Sequence, residues 1–205
     1  MLQNLPEFFD TLLHSEKLIQ YGGFTLIVIV IFAETGLFIG FFLPGDYLLF
    51  TSGVLCATDI LDISIFILLI SLTLASVAGN YVGYYTGKTL GKKLFTRPDS
   101  RFFKKERVER AKSFYDRRGS ISLVLGRFLP IIRTFSPIIA GAIDMDIKKF
   151  SYYNWTGGFL WIWSLVLTGY FLGRSYPQII NYLEYFIFGF IIVTTLILIR
   201  NAMKK

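Results

Sequence analysis

Four ionisable side chains sit inside stretches otherwise fit for lipid. Glu34 and Asp46 lie in an apolar run from Phe24 to Ala57, and Arg127 and Arg133 lie in a second run spanning 121–143. A charge near the bilayer centre costs about 2.5–3.5 kcal/mol on insertion scales. Four of them are tolerable only if they face one another or water. The residue types suggest two arrangements. In one, the carboxylates pin the arginines in a buried structural network. In the other, a wet cavity takes an anionic headgroup. Arginine keeps its charge and grips phosphate through two parallel hydrogen bonds, so Arg127 and Arg133 would bind the phosphate. Glu34 and Asp46 would balance that charge when no anion is present and take up protons.

Each arginine or acid is tied to a helix breaker. "FFLPGD" (41–46) carries Pro44, Gly45 and Asp46, and "GRFLPIIR" (126–133) carries Pro130 between the two arginines. Proline removes a backbone donor and clashes with the preceding turn. In hydrocarbon a break survives only where protein or water satisfies the freed groups. Pro44, Gly45 and Pro130 therefore read as hairpin turns, each bringing the chain back to the side it entered. Glu34 lies about ten residues before the first turn, further from the tip than Asp46.

The chain that must position these groups is strongly apolar: 205 residues, 54% hydrophobic, with a mean hydropathy of +0.56. Soluble domains hold about 45–50% apolar residues with glycine counted. Five apolar segments stand out, at 24–57, 60–86, 121–143, 150–172 and 179–199, and several reach the roughly 20 residues needed to span a bilayer. The class is an all-α polytopic membrane protein. Residues 1–22 read as an amphipathic helix on the membrane surface, with Leu5, Phe8, Phe9, Leu12 and Leu13 on one face, and not as a secretory signal.

The sequence also repeats. At an offset of 86 residues "FLP" (42–44) falls on "FLP" (128–130), and "GYYTGK" (83–88) falls on "GYFLGR" (169–174). Each repeat would be one re-entrant helical hairpin plus one transmembrane helix. Such a unit crosses the membrane once, so the two repeats must be inverted. The expected organisation is a single membrane domain over 1–205. It comprises the surface helix 1–22, repeat 1 at 24–87, a connector at 88–118, repeat 2 at 119–174 and a C-terminal transmembrane helix at 179–199. The connector holds twelve Lys/Arg against four Asp/Glu, which predicts that it and the C-terminus are cytoplasmic. Residues 101–118 could form a second surface helix.

Other features read as packing. Gly79, Gly83 and Gly87 recur at four-residue steps, as small residues do where helices approach closely. Asn80 is placed to hydrogen-bond within the bundle, and Asp144 and Asp146 mark the exit of the second hairpin. One cysteine (Cys56) and one histidine (His14) leave no cluster for a metal. No phosphate-binding loop or nucleophile motif is present. The expectation is no enzyme activity, cofactor, metal or nucleic-acid partner. The partners are membrane lipids, and the oligomeric state is open.

These residues also carry a family resemblance. "FAETGLFIGFFLPGD" (32–46) resembles the Glu-x-Gly … Pro-Gly-Asp/Glu signature of the DedA family, also called the VTT or SNARE-associated Golgi domain family. "GRFLPIIRTFSPIIAGAIDMDIKKFSYYNWTGGFLW" (126–161) resembles its second signature, Arg-x-x-Pro-x-x-Arg followed by Pro-x-x-Ala-Gly and Asn-x-x-Gly. The resemblance covers about residues 20–175. It implies two facing re-entrant loops and lipid transport, with functional acids at Glu34 and Asp46 and functional arginines at Arg127 and Arg133. It further implies a bacterial plasma-membrane translocase for undecaprenyl phosphate or a related anionic lipid, dependent on proton motive force. A general phospholipid scramblase and a proton-coupled cation antiporter are the alternatives.

Overall fold

The structure, a computed structural model, describes residues 15–37, 45–95 and 121–182, and every regular element among them is helical. In chain order these are α1 (Ser15–Gly36), α2 (Gly45–Ala57), α3 (Ile65–Phe95), α4 (Ile121–Leu125), α5 (Pro130–Ala142) and α6 (Ile147–Ser175). A short 3-10 turn, Gly126–Phe128, joins α4 to α5, and another, Pro177–Tyr182, follows α6. Pro44, residues 1–14 of the surface helix, most of the basic connector and residues 183–199 of the C-terminal helix lie outside the described residues.

Among the described residues two helices are long and apolar enough to cross a bilayer, α3 over Ile65–Leu90 and α6 over Ile147–Ser175. By contrast α2 and α5 have 13 residues each, about 20 Å at 1.5 Å per residue. That is short of the roughly 30 Å of a hydrocarbon core. The apolar part of α1, Gly23–Gly36, is similarly short. Gly23 carries φ 57° and ψ −153° and marks a kink in α1 at the place where the sequence separates a surface helix from a membrane arm. That conformation costs glycine least.

The second break follows from proline. Leu129 is extended (φ −115°, ψ 109°), and Pro130 opens α5 at its first turn. The residue before proline is pushed out of the helical region, whereas proline itself suits a first helical turn because no donor is needed there. The apolar run 121–143 is therefore two helices and a 3-10 turn, with Arg127 on the turn and Arg133 in the first turn of α5. The loop that follows α5 holds Asp144 (φ 54°) and Asp146; Asp146 Oδ1 accepts from Lys149 N at 2.9 Å at the start of α6.

The chain gathers into two compact units. The first draws on Met1–Ile27, Pro44–Leu68 and Ser164–Lys205, the second on Val28–Leu43 and Leu69–Trp163. In lipid the hydrophobic effect gives helices little reason to associate, so backbone approach at small residues and buried hydrogen bonds do that work. In the first unit α2 lies directly on α6. A Cβ on Gly53 would overlap the Val166 carbonyl, one on Gly169 the Phe50 carbonyl, and one on Gly173 would meet Val54 Cα at 3.0 Å. Leu48, Leu49, Val54, Leu55 and Val166 are buried there.

In the second unit α5 lies on α3 in the same way. A Cβ on Gly87 would overlap the Ile138 carbonyl, one on Gly141 the Tyr84 carbonyl, and one on Gly83 would press Pro137 Cβ at 3.3 Å. Gly83 and Gly87 are the residues that the 86-residue offset pairs with Gly169 and Gly173. Beside this contact Tyr84, Leu123, Ala140, Ile143 and Phe150 form an apolar cluster, with the Tyr84 and Phe150 rings stacked at 4.5 Å. Tyr84 Oη donates to the Met145 carbonyl, which fastens the α5–α6 loop to α3.

Candidate functional site

The second unit brings together three of the four ionisable residues that the sequence singles out. Glu34, Arg127 and Arg133 are 1%, 2% and 4% exposed. Asp46 belongs to the first unit, half-buried in the first turn of α2, where the helix dipole favours a carboxylate. Gly45 opens that helix. Of the two acids, then, Glu34 shares a unit with the arginines although it lies further from its proline.

Glu34 arrives on the last turns of α1. It is placed by an unusually close crossing: a Cβ on Gly36 would stand 2.9 Å from Gly79 Cα on α3. The neighbouring Thr35 turns its hydroxyl back onto the Ile31 carbonyl at 2.8 Å, so it adds no unsatisfied donor at that crossing. Arg133, on the first turn of α5, extends its Nη2 to Glu34 Oε1 in a buried ion pair. Its guanidinium also lies over the Trp161 ring of α6, 4.4 Å from the centroid, a contact that stabilises a cation most when it is desolvated.

Arg127 has different company. Its Nη1 donates to Ser76 Oγ at 2.9 Å, and its Nη2 donates to Asn154 Oδ1. With its oxygen turned toward Arg127 the Asn80 amide accepts from the same Nη2 and donates to the Thr35 carbonyl at 3.1 Å; in the other orientation its Nδ2 donates to Asn154 Oδ1 at 3.0 Å but faces the Arg127 donor. Asn154 is held in turn by donating from Nδ2 to the Val77 carbonyl at 3.1 Å. The Arg127 side chain passes over two successive glycines of α6: a Cβ on Gly157 would reach Arg127 Cδ at 2.9 Å, and one on Gly158 Arg127 Nη1 at 3.1 Å.

Helical spacing explains how distant segments meet. Ser76 and Asn80 are four apart and share a face of α3, and Asn154, Gly158 and Trp161 recur at four and three along α6. The sequence reading marked Asn80 as a bundle hydrogen bonder but missed Ser76, Asn154 and Trp161. The available signal was polar side chains at helical spacing inside apolar spans, and the Asn-x-x-Gly motif itself.

Between these groups lies a cavity of about 10 Å³ lined by Asn80, Leu123, Arg127, Arg133, Ser136, Pro137, Phe150 and Asn154. About one water fits a space of that size. Both guanidinia border it. The arrangement is a small, partly open pocket beside two arginines, lined by amides, a hydroxyl and apolar side chains, and built where a helix is broken and the 3-10 turn presents one arginine.

Comparison with known proteins agrees with this frame. The VTT domain family matches residues 43–171. The chain is 34% identical over 194 residues to Protein DedA of Escherichia coli K12, covering 91% of this chain and 88% of that one. It is 38% identical over 169 residues to an uncharacterized membrane protein of Mycobacterium leprae, covering 82% and 74%. It is 34% identical over 157 residues to the inner membrane protein YqjA of Escherichia coli K12, covering 77% and 70%. No solved structure gives a significant match. With a family match over more than half its length, two helices among the described residues fit to span a bilayer and relatives that align over most of its length, the chain belongs to the VTT-domain, or DedA, family of membrane proteins.

Proposed function

We propose that the protein is a lipid translocase that moves undecaprenyl phosphate, or a related anionic lipid, across the inner (plasma) membrane, coupled to protons. The observation that carries this reading is the pair of buried arginines lining one small cavity, only one of which meets a buried carboxylate in its unit. A buried ion pair barely offsets its own desolvation, so a purely structural role explains little of why two arginines are kept there. A phosphate headgroup supplies the missing negative charge and accepts bidentate hydrogen bonds.

The headgroup enters from the outer side while its polyprenyl tail stays in lipid. Arg127 and Arg133 receive the phosphate. The pocket holds about one water, so it must widen to admit phosphate, and protonation of Glu34 does this by releasing Arg133. Asp46 is the second proton-coupling or charge-balancing group. Two re-entrant hairpins in inverted repeats give the topology, with the connector 88–118 and the C-terminus cytoplasmic. What supports the repeat is that two 13-residue helices, each too short to span, rest on glycine pairs set 86 residues apart.

The test is a reconstituted assay with labelled undecaprenyl phosphate and labelled phospholipid side by side, with and without a proton gradient. The translocase moves the polyprenyl phosphate faster, and the gradient accelerates it. Equal movement of both lipids without a gradient identifies a general scramblase instead. Cation flux in vesicles lacking the carrier lipid identifies an antiporter.

A further inference from the structure

The two arginines are built for different tasks. Arg133 is neutralised by Glu34. Among the described residues of this unit no carboxylate reaches Arg127; its partners are a hydroxyl and two amide oxygens. Neutral oxygens solvate a guanidinium without cancelling its charge. The buried charged side chains among the described residues of this unit are Glu34, Arg127 and Arg133. A buried charge without a counter-charge is costly to hold, so an incoming anion is favoured beside Arg127.

We propose that Asn80, Asn154 and Ser76, with the bare Gly157–Gly158 step, form a charge-neutral cradle that keeps Arg127 cationic and aimed at the cavity, making Arg127 the primary receiver of the phosphate and Arg133 the gated one. The proposal rests on the phosphate reading above and assigns roles within it. Asn80 and Asn154 are positioning residues. They act by being amides: each offers an acceptor of the right shape and no charge. Asn154 is fixed by its bond to the Val77 carbonyl and Asn80 by its bond to the Thr35 carbonyl, so neither can swing away to make room for an acid. The glycines act by absence, since a methyl on Gly157 would stand 3.2 Å from Val124 Cα as well as against the guanidinium stem.

The near-isosteric change Asn154→Asp tests this directly, because it swaps an amide for a carboxylate without changing shape. The full chain is placed in nanodiscs and binding of undecaprenyl phosphate is measured against undecaprenol, its uncharged counterpart. Wild type prefers the phosphate. Asn154→Asp exchanges its bond to the Val77 carbonyl for an ion pair with Arg127 and stays folded, yet loses at least tenfold in affinity for the phosphate lipid and nothing for the alcohol. In an Arg127→Gln background the same change costs less than twofold, because there is no guanidinium left to neutralise. Wild-type affinity in Asn154→Asp, or an equal loss in both backgrounds, overturns the cradle. If Asn154→Asp does not fold, Asn80→Asp carries the same prediction, and unchanged phosphate binding by it is the overturning result. Wild type binding both lipids alike is a separate outcome: it overturns the phosphate reading, and the cradle's role falls with it.

Discussion

The two units use one packing device and put different chemistry on it. In each, a 13-residue helix is laid on a pair of glycines of a long helix, α2 on Gly169 and Gly173, α5 on Gly83 and Gly87. Beyond that contact they diverge. On α2 the buried polar groups are hydroxyls, such as Ser52, which satisfies the Leu49 carbonyl of its own helix at 2.8 Å. Around α5 the unit buries two guanidinia, a carboxylate and two amides that bond between helices. A glycine-pair scaffold therefore does not require charge, and the charged pocket is an addition to it. Charges that the packing does not need are best explained by something they bind.

That contrast can be broken from either side. The largest effect comes from removing one partner of the ion pair. Arg133→Ala leaves Glu34 buried without its guanidinium and should cost about 3–5 kcal/mol, read as a lower thermal midpoint in detergent together with loss of lipid transport. Next come the glycines. Gly87→Val and Gly169→Val should each cost about 1–3 kcal/mol, as overpacking does. The two should match in thermal unfolding, and a large inequality would show that the packing contacts are not equivalent. Arg127→Lys keeps the charge but loses the fork that serves Ser76 and Asn154 together. It should cut transport about tenfold while leaving the thermal midpoint within a few degrees of wild type. Smallest of all, Lys88→Ala removes an exposed pair with Asp144 at 2.7 Å and should leave stability and transport within error of wild type.

Much of the scaffold was legible because it depends on local chemistry. Pro130 and the extended Leu129 before it follow from proline sterics, and the α3 and α6 spans from apolar length. Gly79, Gly83 and Gly87 announced close helix contacts by spacing alone, and each makes one. The pocket was legible only in part. Distance from a proline reports how near a residue lies to a turn, but not which way it faces or what it meets. It set Glu34 further from the tip than Asp46, and it is the crossing at Gly36 and Gly79 that delivers Glu34 to Arg133. The partners of Arg127 lie 51 and 27 residues away on two other helices. Each is a common polar residue whose significance appears only when α3, α6 and the 3-10 turn are packed.

The central claim is that the two buried arginines receive a phosphate headgroup and that Glu34 controls one of them. Transport of undecaprenyl phosphate in proteoliposomes, followed across external pH for wild type and Glu34→Gln, tests it most directly. The account predicts that wild-type transport rises as protons become available to Glu34, and that Glu34→Gln loses most of that pH response, because Arg133 is never captured and only the part carried by Asp46 remains. A Glu34→Gln protein with the full wild-type pH response would contradict it.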